Sequence, residues 1–429
     1  MAAPAMKTDG AEAFLSAFPE PAGEASWARE ARSRAVERFR QQGVPVRRDE
    51  YWKYTDPTGL TVLPAREAAV LDTDEAPVFD VLDSLKIVFV DGEFSAELSD
   101  DFSLENVEIE RLEDVLKLDI HWARDLFGVL EGNGQTPVAR PLAVLNTARA
   151  TEGVVIRVTG KVAKPISLRY LHRSPTSDAH IRHLVKVEAG AEATILEAGP
   201  AAARFNNVME IEVAPTASLH HVRAQGRDHE RQAVTGLFAR LGEESTFKSF
   251  TLTVNGRMTR NECVLEFTGD NAVAHVAGAC AGDDDFHHDD TVFITHDGLN
   301  CESRQVFKKV LRSGATGVFQ GKILVKEGAQ KTDGYQISQG LLLDDDSNFL
   351  AKPELEIYAD DVVCSHGSTC GAVDETSLFY LRSRGISRAA AEELLVLAFL
   401  DEAIVEIEDD VLADEIRDRL AGWLARRRA

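Results

Sequence analysis

Helical periodicity dominates the first part of the chain. The stretch ASWAREARSRAVERFRQQG places Ala, Val and Phe at helical spacing and ends at Gly43. The loop that follows carries Tyr51, Trp52 and Tyr54 among charged residues, which predicts an aromatic anchor that fixes this segment to the body of the protein. LKIVFVDGEF then predicts a strand, and ERLEDVLKLDIHWARDLFGVLEG predicts another helix. Residues 1–139 therefore form a predicted N-terminal domain of helical and mixed character.

A different pattern begins at about residue 140. Short runs of alternating or β-branched residues, such as GVVIRVTG, PISLRYL and HLVKVEAG, are separated by turn residues and predict strands as far as residue 373. Within them a phrase recurs in which a turn is followed by small residues, and most copies begin roughly 24 to 30 residues after the preceding one. The copies begin at residues 190, 214, 242, 269, 296, 313 and 344.

A repeat of this length with strands alone fits one coil of a β-solenoid. A propeller blade needs about 40 residues or more. Stacked coils leave open edges at both ends, so we expect the helical segments before residue 140 and after residue 374 to cap the stack. An antiparallel sandwich remains an alternative, because periodicity does not distinguish parallel from antiparallel pairing.

The chain ends in a predicted helical domain, residues 374–429. Asp374 is a predicted N-cap and Gly385 a C-terminal stop, and a second helix begins at Ser387. The apolar stripe of this second helix is predicted to run through Leu394, Leu395, Ala398 and Phe399. A third amphipathic helix, VLADEIRDRLAGWLA, is followed by three arginines at 426–428. These helices pack on the solenoid end or receive a partner.

Composition limits the classes of function. The chain has 429 residues, 44% of them hydrophobic, and a formal net charge of −24. Such a charge disfavours nucleic acid and anionic membranes as partners and is typical of a salt-rich cytoplasm. The start of the chain lacks the pattern of a signal peptide, and no apolar run approaches a membrane span, so we expect a cytoplasmic protein. Five cysteines without a C-x-x-C motif fit a reducing compartment; they are Cys263, Cys280, Cys301, Cys364 and Cys370.

The stretch DDVVCSHGSTCG contains half of a metal site. In an extended chain Cys364 and His366 would share one face, because positions two apart point the same way. A zinc site normally needs four ligands, so the rest would have to come from elsewhere. On spacing alone, a buried cysteine beside a hydrogen-bonded histidine is the preferred interpretation.

A second candidate site is the acidic stretch DDDFHHDDTVFITHDG, with His287, His288 and His296. Imidazole and carboxylate groups together can hold a first-row metal. The spacing is not specific, and acidic loops with one or two histidines are usually solvated turns. We therefore favour solvated turns over a metal site here.

Nucleotide chemistry is not expected. The chain has no P-loop, no G-x-G-x-x-G after a strand and no serine-hydrolase elbow. Without a phosphate cradle, Lys308, Lys309 and Lys322 are most simply interpreted as exposed flanks of the solenoid.

Several long phrases in the second half of the chain occur in a recognisable order. They are HHDDTVFITHDGLNCESRQVFKK, VFQGKILV, AQKTDGYQ, LLLDDDSNFLAKPELEIYADDVVCSHGSTCG and LFYLRSRGIS. Together they resemble the SufB/SufD family of the SUF iron-sulfur cluster assembly system over roughly residues 140–400, and RRDEYWKYT is similar to the family's N-terminal region. CSHG at residues 364–367 resembles the SufD members; SufB members carry acidic residues in the flanking positions.

This resemblance implies a right-handed parallel β-helix between helical domains. It also implies a complex with a SufB-like subunit and a SufC-like ABC-type ATPase, in which a nascent iron-sulfur cluster forms at the SufB interface. The missing half of the site would then come from another chain. His366 matches the interface histidine of SufD members, Cys364 is an adjacent match, and Cys370 replaces a residue that is commonly apolar in the family. The cluster would be transient, with no cofactor held stably by the isolated chain.

We therefore expect a non-enzymatic scaffold subunit that pairs through its β-helix and binds the ATPase through its C-terminal helices. One alternative is a SufB-like scaffold that pairs with itself. Another is a metal-dependent enzyme acting on a small molecule, with His288, His296, Cys364 and His366 converging as ligands. A third is a purely structural solenoid. The sequence leaves the stoichiometry and any flavin binding open.

Overall fold

The computed structural model describes residues 2–70, 77–136, 138–226 and 230–425, with side chains from residue 7 onward. The fold is mostly β, a parallel β-solenoid of about seven turns with helices at both ends of the chain. This confirms the predicted fold class. The sandwich alternative is wrong, because the strands between residues 154 and 371 pair with one another in parallel.

Each turn of the solenoid contributes one strand to each of two sheets. Within the described residues, sheet A has ten strands and sheet B has nine. Sheet A contains β1 (Leu85–Val90), β2 (Glu93–Phe94), β5 (Ile166–Leu171), β7 (Glu192–Gly199), β9 (Ser218–Gln225), β11 (Thr246–Val254), β13 (Val273–Gly282), β15 (Glu302–Leu311), β17 (Asp333–Leu342) and β19 (Val363–Gly371). Sheet B contains β3 (Val107–Arg111), β4 (Val154–Val158), β6 (Asp178–Val187), β8 (Arg204–Val213), β10 (Gln232–Leu241), β12 (Met258–Phe267), β14 (His287–His296), β16 (Thr316–Val325) and β18 (Asn348–Ile357).

Five copies of the repeated phrase, those that begin between residues 190 and 296, form the corner that leads from sheet B to sheet A, whereas the copies at 313 and 344 form the opposite corner. A residue with left-handed φ opens the corner, as at Glu244 (55°), Asn271 (56°) and Asn300 (55°). The next position holds a small, buried side chain in successive coils: Ala191, Ala217, Ser245, Ala272, Cys301 and Thr332. Since Thr246 pairs with Val273, one coil here takes 27 residues by subtraction of their numbers. The predicted repeat is confirmed, and Cys301 is the small residue of its coil.

Antiparallel strands close the N-terminal end of the solenoid. β2 folds back on β1 in sheet A, and β3 runs antiparallel to β4 in sheet B. Phe94 and Phe102 pack against the core at this end. A hairpin and an antiparallel strand satisfy the hydrogen bonds of the edges directly, so the helical cap expected here is not needed. At the other end, β18 and β19 are the last strands of their sheets, and no described element pairs with their outer edges.

The N-terminal helices lie mainly beside sheet B. They are α1 (Ala2–Ala17), α2 (Ser26–Gln42), α3 (Thr58–Thr61), α4 (Leu112–Val115), α5 (Val129–Asn133) and α6 (Pro141–Arg149), with 3-10 turns at Glu50–Trp52 and Trp122–Asp125. The single helix predicted from ERLEDVLKLDIHWARDLFGVLEG is wrong, because β3 takes its start and Gly128, with a φ of 70°, interrupts its end. α6 was missed; it is only nine residues long, and eight of them are buried. The predicted domain limits at 139 and 373 stay predictions.

The segment DEYWKYTDPT, which we call the N-terminal strap, crosses the outer face of sheet B. Its Tyr51 and Trp52 are buried and Tyr54 is partly buried. Arg260 of β12 donates to the backbone oxygen of Tyr51 at 2.9 Å and stacks over Trp52 at 4.2 Å. The Tyr51 hydroxyl donates to Glu354 of β18. The predicted aromatic anchor is confirmed, and it reaches the terminal strand of the sheet.

The C-terminal helices are α7 (Glu375–Ser383), α8 (Arg388–Ile404) and α9 (Asp410–Ala425). Asp374 accepts the N–H of Ser377 at 2.8 Å, which confirms the predicted N-cap, and Gly385, with a φ of 86°, follows the end of α7 as predicted. Ser387, where the second helix was predicted to begin, is the N-cap of α8 and accepts the N–H of Ala390 at 3.3 Å. The arginines predicted to close the third helix, residues 426–428, lie outside the described residues. No helix in the described part of the chain is long and apolar enough to span a membrane.

These helices cover the outer face of sheet A and leave its C-terminal end open. Buried side chains of α8 and α9, Trp423 among them, pack on apolar residues of β9 to β15 such as Phe250 and Val306. The face of α8 that packs consists of Ala391, Val396, Leu400, Ala403 and Ile404. The predicted stripe is therefore wrong in part, since Leu394 is 48% exposed. The stripe was misplaced because α8 is apolar over more than one face, so spacing alone does not identify the face that packs.

The interior of the solenoid contains buried charge as well as apolar side chains. Glu197 accepts hydrogen bonds from Tyr170 at 2.7 Å and from Arg223 at 2.9 Å, and it lies 2.8 Å from His221. Burial raises the pKa of this carboxyl, but Arg223 and His221 outweigh burial and hold the pKa below its ordinary value. The carboxylate is thus fully satisfied and belongs to the architecture.

Candidate functional site at the open end of the solenoid

The residues of the predicted half-site lie on β19, the terminal strand of sheet A. Cys364 pairs in register with Gly334, and His366 pairs with Gln336. Because β19 is extended, the two side chains share one face, as predicted. That face continues the inner face of the solenoid, since Gln336 is buried among interior residues. No further coil of the described chain covers it, so interior-facing positions are open to a partner.

Cys364 and His366 have different surroundings. Cys364 is partly buried beside Ile323 and Ala359, and its Sγ lies 3.1 Å from the point where a Cβ on Gly334 would stand. Loss of solvation raises the pKa of the Cys364 thiol, so the thiol is held protonated more firmly than an exposed cysteine. His366 is exposed. The site therefore offers one accessible imidazole and one thiol that needs a cation or metal beside it to ionise.

Cys370 lies further along the same face of β19 and is exposed. Partial burial raises the pKa of its thiol. It is six positions from Cys364, which in an extended strand is about 20 Å, so the two thiols do not form one site.

The other candidate histidines do not converge with this pair. At least one ring nitrogen of each has a hydrogen-bond partner elsewhere: Thr55 at 2.9 Å for His287, Lys309 at 2.8 Å for His288 and Ser303 at 2.8 Å for His296. Burial lowers the pKa of His288 to about 3 and that of His296 to about 4, so both are neutral structural side chains. Among the described residues no three His, Cys, Asp or Glu side chains form a group that could hold a metal. The four-ligand enzyme site is not formed.

The lysines interpreted as exposed flanks are largely buried. Lys309 is 1% exposed and donates to Asp290 inside the solenoid at 2.5 Å. Lys308 is 2% exposed because α8 covers it, and it pairs with Glu402. Lys322 is partly buried and pairs with Glu356. The interpretation as exposed flanks was wrong, because the partners that allow these burials come from other coils or from α8 and are invisible in local sequence.

Exposed apolar side chains mark two regions of the surface. At the open end, Val363 is 70% exposed at the start of β19, and Tyr358 and Ile357 are exposed beside it. On the C-terminal helices the exposed apolar residues are Phe379, Tyr380, Leu394, Val405 and Val411. The sequence analysis missed most of this second group. The sequence did contain a signal for an exposed apolar surface, because these residues do not all fall on one apolar stripe of a helix.

Comparison with known proteins places these features in a family context. Residues 170–399 match the model for "SUF system FeS cluster assembly, SufBD core domain". The iron-sulfur cluster assembly protein SufD of Escherichia coli (strain K12) is 28% identical over 397 residues, which are 90% of this chain and 90% of that protein. An iron-sulfur cluster assembly SufBD family protein of Synechocystis sp. is 28% identical over 388 residues, 85% of this chain and 84% of that protein. SufD of Bacillus subtilis (strain 168) is 27% identical over 277 residues, 62% of this chain and 63% of that protein.

Proposed function

Because the chain belongs to the SufB/SufD family of the SUF iron-sulfur cluster assembly system, we propose that it is a non-enzymatic scaffold subunit. It holds a nascent cluster against a partner chain in the cytoplasm. The observation that carries this proposal is the open last coil, on which Cys364 and His366 lie on the interior-facing side of β19 and no further described coil covers them.

The proposed partner at this end is a SufB-like solenoid. β18 and β19 present unpaired backbone N–H and C=O groups, which a strand from another chain would satisfy. Exposed Tyr358 and Val363 add apolar area beside these edges. A solenoid partner extends both sheets at once and covers the interior-facing side chains of β19. The cluster site is then enclosed between the two chains.

The chemistry of the half-site supports a transient cargo. One imidazole and one thiol supply two of the ligands that a tetrahedral iron needs, so the partner must supply the others. Burial raises the pKa of the Cys364 thiol and disfavours its thiolate in the isolated chain, whereas iron or a cation of the partner beside the sulfur would favour the thiolate. The isolated chain therefore binds iron weakly, and assembly with the partner creates the site.

The proposed partner of the C-terminal helices is a SufC-like ATPase. These helices are held to sheet A by their buried faces and still expose Phe379, Tyr380 and Leu394. ATP-driven movement of the ATPase would be passed through sheet A to the strands that carry Cys364 and His366.

Co-expression with the SufB-like and SufC-like proteins of the same organism tests this proposal. We expect one complex on size-exclusion chromatography, with iron and sulfide bound only when the SufB-like chain is present. Separate elution of the three proteins contradicts the proposal. A stoichiometric metal ion in the isolated chain contradicts it in favour of a metalloenzyme, and a stable pair of identical chains favours the scaffold that pairs with itself.

A further inference from the structure

Two buried glutamines form a ladder directly beneath His366. Gln305 of β15 and Gln336 of β17 are paired in register, and each is 0% exposed. Nε2 of Gln336 donates to Oε1 of Gln305 at 3.1 Å. In the same column of the sheet, Val276 lies on the far side of Gln305, and His366 lies on the far side of Gln336. The ladder thus ends at the histidine of the proposed cluster site.

Each end of this ladder has one polar atom without a partner among the described residues. Nε2 of Gln305 and Oε1 of Gln336 are both buried and make no hydrogen bond. In a planar amide, the carbonyl oxygen and the N–H opposite it point in opposite directions. Since the Gln336 amide donates toward Gln305, its oxygen is turned toward the coil of His366. The same rule turns the free N–H of Gln305 toward Val276, which has no acceptor in its side chain.

The Gln336 amide fills the space that a glycine leaves open on the facing sheet. It lies against Gly321 of sheet B, where an added Cβ would stand 2.4 Å from Nε2 of Gln336. A side chain at position 321 would displace this amide, so glycine is needed there. Among the described residues, the carbonyl of Gln336 is therefore a buried acceptor without a donor, one rung from an imidazole. Burying an acceptor without a donor is unfavourable, so the arrangement favours a ring N–H moving into place.

We propose that Gln336 is a positioning residue for His366. Its Oε1 accepts the N–H of one ring nitrogen of His366, which leaves the other nitrogen unprotonated and directed to the open end. The described conformer of His366 does not make this bond, and a change of the His366 rotamer in the isolated chain forms it across neighbouring strands about 4.8 Å apart. Histidines that bind metals commonly donate their second ring N–H to a fixed acceptor in this way. The part of this inference that concerns iron rests on the proposed function.

The hydrogen bond itself is tested on the full-length isolated chain. We would measure the tautomer populations of His366 by NMR of protein with 15N-labelled histidine, with its signals assigned by their absence in His366→Ala. Gln336→Met removes the acceptor at similar length, and Gln336→Glu keeps an acceptor. Gln320→Met is the matched control, because Gln320 is equally buried but lies on the outer face of sheet B beneath the strap. We expect Gln336→Met to change the populations, Gln320→Met to keep those of the wild type, and Gln336→Glu to keep the same favoured neutral tautomer.

Equal populations in the wild type and in Gln336→Met would overturn the inference. If Gln336→Met does not fold, a change of the favoured neutral tautomer in Gln336→Glu overturns it as well, because the carboxylate keeps an acceptor at this place. The consequence for iron is tested on the co-expressed complex. There Gln336→Met should lower cluster yield about tenfold, and it should have no further effect when combined with His366→Ala. Failure of the wild-type complex to form would contradict the proposed function and leave the NMR result standing.

Discussion

At the scale of single residues, His366 and Cys370 occupy one face of one strand and differ in what lies beneath them. His366 stands on the Gln336 ladder, and Cys370 stands on Gly340, which has no side chain. An exposed side chain contributes few packing contacts, so either residue can be removed with little effect on folding. The two positions therefore separate a role in assembly from a role in stability.

The first prediction concerns His366→Ala in the co-expressed complex. We expect cluster yield, measured by visible absorbance and iron content, to fall strongly while complex formation and the urea midpoint stay unchanged, because a ligand is lost and no core contact is. Cys370→Ala is the matched control and should give wild-type yield. Normal yield in His366→Ala would remove this residue from the mechanism.

The second prediction concerns the buried histidines. Burial lowers the pKa of His180, His183 and His296 to about 4, below the value of about 6.5 in an unfolded chain. Between pH about 4 and about 6.5, these histidines are therefore mostly protonated in the unfolded chain and mostly neutral in the folded chain. The contribution of these histidines to the free energy of unfolding is fully present above pH about 6.5. It falls as the pH drops toward 4, by up to about 1.4 kcal/mol per pH unit for each histidine.

His180 allows this to be checked, because neither of its ring nitrogens has a hydrogen-bond partner among the described residues. His180→Leu removes one titrating group and no hydrogen bond. Urea midpoints measured between pH 7.5 and 5 should fall less steeply for His180→Leu than for the wild type. Parallel curves would show that His180 does not contribute to acid sensitivity.

Residue-scale predictions from sequence succeeded where local geometry was sufficient. Cys364 and His366 share a face because any extended strand places them so. The prediction that Lys309 is exposed failed because its burial depends on Asp290, which lies on the other sheet and is 19 residues away in the chain. The Gln336 ladder was also missed, since Gln305 and Gln336 meet only through the register of two coils.

At the scale of elements, α8 has two faces with different tasks. One packs on sheet A through residues such as Leu400, and the other exposes Leu394. Sequence periodicity predicted that the helix exists, and the residue types predicted that it begins at Ser387, because capping is a local property. It misplaced the stripe, because α8 is apolar on more than one face and only sheet A decides which face is buried.

The third prediction uses this pair of leucines. Leu400→Asp places a charge in a fully buried seam and should destabilise the chain by several kcal/mol, measured by urea denaturation. Leu394→Asp should leave the free energy of unfolding within about 0.5 kcal/mol of the wild type and weaken binding of the SufC-like ATPase. Unchanged binding in Leu394→Asp would show that the ATPase uses another surface.

At the scale of the whole molecule, the solenoid has unlike ends. The class of fold followed from a repeat of strands, because each coil is specified by its own turn and small residues. The sequence did not predict which end of the solenoid is covered, because periodicity does not show that β2 and β3 run antiparallel to their neighbours. Helices were expected at both ends, whereas the C-terminal helices lie along the side of sheet A.

The fourth prediction tests the open end. Val363→Lys puts a charge at the start of the terminal strand, where it opposes pairing with another strand. We expect loss of the SufB-like partner on size-exclusion chromatography with little change in thermal stability. Val81→Lys is the matched control, since Val81 is equally exposed and lies far from β19 in the chain. Retained pairing in Val363→Lys would place the interface elsewhere.

The sealed N-terminal end sets the number of subunits that can associate through this surface. Solenoids with two open ends can join head to tail without limit and form fibres, because each addition exposes a new edge of the same kind. Here the short hairpin strand β2 and the antiparallel strand β3 end the two sheets, so the N-terminal end does not repeat the geometry of the interface proposed at β18 and β19. Joining two open ends uses up both, and growth stops at a pair.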